Sequence, residues 1–169
     1  LTADIGATNS RIAIFSTELK LIELIEIKTN KIRNTESFVK IIKQNLKTKS
    51  STLSAVCIAC AGPVNHKLNQ VQLTNSHLLI NAKSLNAQLQ KENIFSKNIF
   101  LLNDFEALGY GINEILSSSK SVQNTNKKII TTKGLTTIKK GIPIKQKTIA
   151  LLGAGTGLGK SIAVYDKQK

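Results

Sequence analysis

The stretch TADIGATNSRIAIF, residues 2–15, decides the fold. A short apolar segment runs into residues 4–9, and the chain returns as the alternating run Arg11 to Phe15. Apolar segments on either side of a short polar turn predict a β-hairpin. The hairpin then places the polar residues of DIGATN at its tip.

The composition of this tip predicts a site for a phosphate group. Gly6 permits backbone conformations that a Cβ atom forbids, so successive N–H groups can face one concavity, and the side chains of Thr8 and Asn9 add donors. Asp4 lies at the mouth of the same turn, where its charge suits a hydrated divalent cation between carboxylate and phosphate. An ordinary hairpin with an Asx turn is the alternative for these six residues.

Length and composition indicate an α/β protein. The 169 residues suit one domain, or one domain and part of another, and 41% of them are hydrophobic. Aromatic residues make up only 4%, so the core is expected to consist of Ile, Leu, Val and Ala, as in a sandwich of parallel strands and helices. No apolar run approaches the ~18 residues of a membrane span, and no signal-peptide pattern is present. Because the chain begins at Leu1 with a strand almost at once, we expect a trimmed or partial chain.

The formal net charge of +14 first suggests nucleic acid as a partner. However, arginine occurs only at Arg11 and Arg33, and the lysines are scattered among Asn and Ile without interleaved aromatic residues for base stacking. This distribution argues against a nucleic-acid-binding module, which stays an alternative. The densest basic stretch, residues 127–147, is expected to be a solvated connection.

Cys57 and Cys60 form a C-x-x-C pattern, which raises a redox or zinc site as a possibility. Both lie in the apolar segment 55–61, where residues i and i+3 of a strand point to opposite faces. There is no second cysteine pair, and His66 and His77 are isolated. We therefore expect the two cysteines to pack in the core.

The pattern along the chain predicts a mixed sheet with parallel crossovers. Two strands within residues 4–15 and a third at 21–28 form an antiparallel meander, and a helix follows that begins at Asn34-Thr35-Glu36. The further predicted elements are a buried strand at 53–60, a weak strand at 67–73, a helix at 82–90, a strand at 99–102, a helix at 105–116, and strand-like segments at 148–152 and 161–165.

Polar residues follow several predicted strand ends, where ligands bind in such sheets. Gly62, Asn75, Asn103 and Asp104 all lie at or near a carboxyl end. Asp104 is either a helix-capping residue or a general base, since an amide beside a carboxylate can orient a hydroxyl group and accept its proton.

The segment GAGTGLG at residues 153–159 repeats the opening design of strand, glycine-rich turn with a threonine, and strand. Two such hairpins suggest a nucleotide that is held from both sides. Residues 154–161 also fit a relaxed P-loop, which makes a P-loop NTPase an alternative. A P-loop needs a helix after Ser161, whereas 162–165 is strand-like.

Five motifs in order resemble the bacterial-type glucokinases of the sugar kinase/Hsp70/actin superfamily. They are DIGATN followed by Arg11, CAGPV at 60–64, LTN at 73–75, LLNDFEALGYGI at 101–112 and GAGTGLG at 153–159. The resemblance covers essentially the whole chain. It implies an actin-like (ribonuclease H-like) ATPase lobe with a mixed sheet flanked by helices, plus the first hairpin of a second similar lobe. It also implies cytoplasmic, ATP- and Mg²⁺-dependent phosphorylation of the 6-hydroxyl of glucose.

The resemblance further implies a role for each matching residue. Asp104 would be the general base, Asn75 and Asn103 would bind sugar hydroxyls together with Asp104, and Asp4 would act on magnesium through water. Phosphates would be held by two turns, the first made by Asp4, Gly6, Ala7, Thr8 and Asn9 and the second by Gly155, Thr156 and Gly157. Residues 1–117 would form the first lobe, 118–147 a Lys- and Thr-rich connection, and 148–169 the start of the second lobe.

Three departures from the family pattern bear on function. Ala7 stands where the family has a second glycine, Leu78 is the nearest match to a tryptophan that often follows the TN motif, and no GEGGH-like sugar-binding segment precedes Lys169. A truncated or degenerate kinase that binds nucleotide without turnover is therefore an alternative. An exposed surface between lobes predicts self-association or pairing with a missing second half.

Overall fold

The computed structural model describes residues 1–46, 51–74, 76–117, 138–139, 141–142, 144, 146–155 and 157–166. Its elements in chain order are β1 (Thr2–Ile5), β2 (Asn9–Phe15), β3 (Leu21–Lys28), a 3₁₀ turn (Thr29–Lys31), α1 (Thr35–Asn45), β4 (Ser51–Leu53), β5 (Val56–Cys60), β6 (Val64–Asn65), β7 (Gln70–Gln72), β8 (Leu79–Asn81), α2 (Ala82–Lys91), β9 (Ile94–Ser96), β10 (Ile99–Asn103), α3 (Asp104–Ser117), β11 (Ile149–Ala154) and β12 (Leu158–Ala163).

The chain divides into two compact units, Leu1–Asp104 and Phe105–Lys169. The first unit is built on a five-stranded mixed sheet in the order β10-β5-β1-β2-β3. Strands β10, β5 and β1 run parallel, whereas β1, β2 and β3 form the predicted antiparallel meander. The predicted connection and lobe boundaries stay predictions, since most of residues 118–147 lie outside the described part of the chain.

One face of this sheet carries the hydrophobic core. Alternation along the strands buries Ile5, Ile12 and Ile58 on the same face, and α1 and α2 contribute Phe38 and Leu85, all of them fully buried. The opposite face carries Asp4, Arg11 and Glu26 in one row across β1, β2 and β3, as the strand registers show. One face of the sheet is therefore apolar and covered by helices, and the other face carries a row of charged residues across β1, β2 and β3.

Local sequence explains where α1 begins. The Asn34 side chain accepts a hydrogen bond from the Ser37 backbone N–H at 2.8 Å, and the Ser37 hydroxyl accepts one from the Asn34 N–H at 3.1 Å. This reciprocal capping box satisfies donors that the first helical turn leaves without intrahelical acceptors. The predicted start of this helix is confirmed.

Three predicted strands have clearly different bounds in the structure. The expected strand 53–60 is interrupted after Leu53, because β4 pairs with β9 in a separate two-stranded sheet while β5 joins the main sheet. The expected strand 161–165 begins instead at Leu158 and ends at Ala163, since β12 pairs with β11 along its whole length. Only residues 70–72 of the weak segment 67–73 form a strand, β7, which lies between β6 and β8.

In the second unit, β11 and β12 form an antiparallel hairpin that pairs Gly153 with Gly159. The aromatic ring of Phe105, the second residue of α3, lies against both glycines so closely that a Cβ atom at either position would overlap it. These glycines are therefore required for packing rather than for a special backbone angle. Within the described ranges, no helix is both long and apolar enough to span a membrane.

Candidate functional site

The three parallel strands of the first unit end at the same level. Ile5 of β1 is aligned with Cys60 of β5, and Cys60 is aligned with Asn103 of β10. The residues that follow these positions, Gly6 and Asp104 among them, therefore share one edge of the sheet. This is the edge at which ligands bind in sheets with parallel strands.

Asp4 and Asp104 place two carboxylates at this edge. Partial burial raises the pKa of Asp4, the positive charge of Arg11 on the next strand opposes the rise, and the negative charge of Asp104 adds to it. The Cys60 thiol, on the strand between β1 and β10, has its pKa raised to about 12, chiefly by burial and further by the charges of Asp104 and Asp4. The edge is thus negatively charged, and the two carboxylates interact electrostatically.

This arrangement suits a divalent cation that is bound mainly through water. Burial and the neighbouring charge of Asp104 both disfavour an ionised Asp4, and a cation beside Asp4 would relieve that penalty. Among the described residues, no cluster of three or more His, Cys, Asp or Glu side chains surrounds a possible metal position. Magnesium fits such a site, since it keeps several waters and needs only one or two carboxylates.

Asn103 fixes the end of the neighbouring strand. Its side-chain Nδ2 donates to the carbonyl oxygen of Gly62 at 3.0 Å. Gly62 is buried against β7, and a Cβ atom there would overlap the carbonyl of Gln72. Gly62 therefore permits a close approach of two backbones, and Asn103 holds it there.

The sugar-binding roles predicted for Asn103 and Asn75 stay predictions. Asn75 lies outside the described residues. Just before it, the Thr74 N–H donates at 2.9 Å to the carbonyl of Ala61, the residue that follows β5.

The first glycine turn is closed by backbone hydrogen bonds and by Thr29. The Gly6 N–H donates to the Asn9 carbonyl at 3.2 Å, which closes the hairpin. The buried Thr29 donates from its hydroxyl to the Gly6 carbonyl at 2.8 Å and from its N–H to the Thr8 carbonyl at 2.9 Å. The carbonyl groups of Gly6 and Thr8 are thereby directed toward Thr29.

The tip of this turn retains hydrogen-bond donors. Ala7 and Thr8 are exposed, and within the described part of the chain their N–H groups donate to no protein acceptor. Two adjacent N–H groups of this kind form a concavity that suits an anion. Ala7 does not adopt a left-handed backbone conformation, so an alanine causes no backbone strain where the family has glycine.

The second glycine turn joins β11 to β12. The Gly155 N–H donates to the Gly157 carbonyl at 2.9 Å, and both residues are exposed. Thr156 lies outside the described residues, so its predicted role is untested. Because residues 158–163 form strand β12 rather than a helix, the structure contradicts the P-loop alternative.

The two cysteines occupy opposite faces of β5, as predicted, but the expectation that both pack in the core is confirmed for Cys60 alone. Cys60 is fully buried in the core, whereas Cys57 is half-buried, and no disulfide joins them. Their spacing therefore reflects the alternation of a strand.

Thr29 is a site residue that the sequence pattern did not reveal. It acts on residues more than 20 positions earlier, and its hydroxyl also shares a 2.8 Å hydrogen bond with Ser10. The only local signal was a polar residue directly after an alternating strand, which is common at strand ends.

Comparison with known proteins identifies relatives over the whole chain. The glucokinase family model matches residues 1–169. A glucokinase from Photorhabdus laumondii is 31% identical over 99% of this chain, and one from Nostoc punctiforme is 26% identical over 97%. These matches cover 45% and 42% of the two relatives, so the chain spans less than half their length.

Solved structures agree on the fold. A glucokinase from an Antarctic psychrotroph superposes with a TM-score of 0.59 at 23% identity, covering 99% of this chain and 46% of that one. A ROK family glucokinase from Streptomyces griseus, solved in complex with glucose and AMPPNP, superposes with a TM-score of 0.52 at 18% identity, covering 98% and 44%. The predicted fold class, an actin-like ATPase lobe with a mixed sheet, is confirmed.

Proposed function

The chain belongs to the glucokinase family, and from this premise we propose that it forms the N-terminal part of a cytoplasmic, ATP-dependent hexose kinase. The reaction is the transfer of the γ-phosphoryl group of ATP to the 6-hydroxyl of glucose, which yields glucose 6-phosphate and ADP. The observation that carries the proposal is the alignment of β1, β5 and β10, because it brings the carboxylates of Asp4 and Asp104 to one edge beside the first turn.

Asp104 is the proposed general base. The attacking oxygen of the sugar must lose its proton during transfer, and a carboxylate at hydrogen-bond distance can accept it. Asp104 begins α3 directly after β10, so two rigid elements fix its position. Asn103 and Asn75 are the proposed partners of the sugar hydroxyls, and Asn103 also keeps the end of β5 in place.

The two glycine turns are the proposed phosphate sites. In the first turn the N–H groups of the exposed residues Ala7 and Thr8 supply donors, and the second turn is marked by the exposed residues Gly155 and Gly157. Asp4 would hold Mg²⁺ through water, and the ion would neutralise charge on the phosphates. Phosphoryl transfer depends mainly on the positions of the reacting groups and on stabilisation of their charge. The proposed residues provide both types of interaction.

Two findings on relatives support the proposed substrates. The Streptomyces griseus enzyme was solved with glucose and with AMPPNP, an ATP analogue, and it shares the fold of this chain. The curated relatives carry the name glucokinase and match nearly all of this chain.

The test is glucose-dependent ADP formation with ATP and Mg²⁺, measured on this chain and on a product extended through the coding sequence that follows it. We expect activity in the extended product. Asp104→Asn should lower kcat by ~10²- to 10⁴-fold, as for loss of a general base, with a smaller change in KM. Glu36→Gln, an exposed acid on α1 that pairs with Lys40, is the control and should leave kcat unchanged.

Two results would contradict the proposal. One is a folded extended product without glucose-dependent turnover, which would favour a degenerate kinase. The other is unchanged kcat in Asp104→Asn, which would remove Asp104 from the role of base.

A further inference from the structure

The loop between β7 and β8, residues 73–78, is held at both ends by the core. Its first and last residues, Leu73 and Leu78, are buried, and the Leu73 N–H donates to the Leu78 carbonyl at 3.0 Å. Thr74 and Ser76, between these leucines, are exposed. We call this segment the β7–β8 loop. Its ends are therefore fixed, while the residues between them face solvent.

Hydrogen bonds connect this loop with the edge of the five-stranded sheet. The Thr74 N–H donates to the Ala61 carbonyl at 2.9 Å. The next residue, Gly62, accepts the bond from the Asn103 side chain and packs so closely against β7 that a Cβ atom would overlap the Gln72 carbonyl. The position of the loop is thus linked, through the end of β5, to a proposed ligand of the hexose.

The Gln72 side chain spans the loop. Its Nε2 donates to the Ser76 carbonyl at 2.7 Å. Ser76 makes two longer bonds, since its N–H donates to the Leu73 carbonyl at 3.4 Å and its hydroxyl oxygen accepts from the Leu78 N–H at 3.2 Å. N–H···O bonds usually measure about 2.7–3.2 Å, so the bond from Gln72 is the best formed of the three. The Gln72 amide is therefore the main restraint on the exposed part of the loop.

Gln70 provides a comparison within the same strand. It lies two residues before Gln72 in β7, so both side chains are on one face of the strand. Within the described part of the chain, the Gln70 side chain makes no hydrogen bond or ion pair. The bond from Gln72 thus depends on its position beside the loop.

We propose that Gln72 is a positioning residue for the hexose, and that its bond to the Ser76 carbonyl fixes the β7–β8 loop beside the end of β5. Without this bond the loop has more conformations in the free protein, and sugar binding must order it at a cost in affinity. The inference rests on the proposed function, in which Asn103 and Asn75 bind the sugar hydroxyls.

The first test is amide hydrogen exchange, measured by NMR on the 169-residue chain and on Gln72→Met. Methionine is unbranched like glutamine but has no N–H donor. Because one restraint is lost, we expect the Ser76 and Leu78 amides to exchange at least about three-fold faster in this variant. Gln70→Met is the matched control and should leave both rates within two-fold. Smaller increases in Gln72→Met, or equal increases in the two variants, would overturn the proposal.

The second test is steady-state kinetics of the extended product with the same two substitutions. We expect Gln72→Met to raise KM for glucose at least about three-fold, the effect of one lost hydrogen bond, while kcat and KM for ATP stay within two-fold. Gln70→Met should leave all three constants within two-fold. A general loss of structure would instead lower kcat or raise both KM values.

A smaller rise in KM for glucose, or an equal rise in KM for ATP, would overturn the positioning role of Gln72 alone. If the unmodified extended product shows no glucose-dependent turnover, the proposed function is wrong and the hexose role of Gln72 is overturned with it. The exchange rates then still decide whether Gln72 holds the loop, since they do not depend on turnover.

Discussion

The surroundings of Asp4 disfavour the ionised form of its side chain. Its pKa is raised by burial and by Asp104, so between the ordinary value near 3.8 and the raised value the folded chain binds more protons than the unfolded chain. Stability contributed by this group is therefore present at low pH and falls as pH rises through that window. Such a penalty is typical of a carboxylate that acts with a cation or a ligand.

We predict that Asp4→Asn stabilises the chain at pH 7 in the absence of divalent cations, by at most about 1 kcal/mol because the side chain is partly exposed. The difference in the free energy of unfolding between Asp4→Asn and the unmodified chain should shrink as pH falls from 7 toward 4. Urea unfolding at several pH values measures this difference, with Glu23→Gln on β3 as a control for loss of one half-buried acid. If Asp4→Asn is less stable than the unmodified chain at pH 7, the predicted sign of the change in the free energy of unfolding is wrong.

The two thiols are expected to react at very different rates. Cys60 is fully buried and its pKa is about 12, whereas Cys57 is half-buried. Because the thiolate is the reactive form, the raised pKa alone should slow labelling of Cys60 by at least ~100-fold at pH 8. We predict that a thiol reagent labels Cys57 in native Cys60→Ala, but labels Cys60 in Cys57→Ala only after unfolding. Comparable native rates would show that β5 is not the buried strand described.

At the scale of single residues, the sequence predicted the position of site residues on the sheet better than it predicted their hydrogen bonds. That Gly62 and Asn103 share an edge followed from strand ends, since parallel strands carry their carboxyl ends to one side. The bonds from Thr29 to the turn could not be predicted, because they depend on how β3 folds back on β2.

At the scale of elements, the capping box of α1 gives a direct prediction. Asn34→Ala removes the side-chain acceptor of the Ser37 N–H and should cost ~1 kcal/mol, within the 0.5–2 kcal/mol typical of lost N-caps. Asn34→Asp keeps an oxygen in the same place and should stay close to the unmodified chain. Thermal unfolding followed by circular dichroism measures both. Equal losses in the two variants would indicate a role for the Asn34 amide nitrogen instead.

Elements were predictable where the local pattern was long, as in β3 or α1. The expected strand 53–60 was wrong in its bounds because the choice between sheets is made by distant partners. The Val56 N–H donates to the Asn98 carbonyl, and β4 pairs with β9 about 40 residues later. Three-residue strands such as β9 carry too few residues to show a period.

At the scale of the whole molecule, the hydrophobic core of the described residues lies in one unit. Every residue of the buried hydrophobic cluster lies between Ala3 and Leu101, and β10 completes the five-stranded sheet before Asp104. A unit with its own core is expected to fold independently.

We therefore predict that a fragment of residues 1–104 folds alone and unfolds cooperatively, with a melting temperature within about 10 °C of the first unit in the full chain, because loss of a separate unit removes little core. The matched control is residues 1–98, which lacks β10. Without that strand, β5 becomes an exposed edge and Leu101 is missing from the core, so this fragment should give no cooperative transition. Circular dichroism and urea titration of the two fragments measure the difference. Equal cooperativity would show that β10 is dispensable for the sheet, and a non-cooperative 1–104 fragment would show that the first unit needs the rest of the chain to fold.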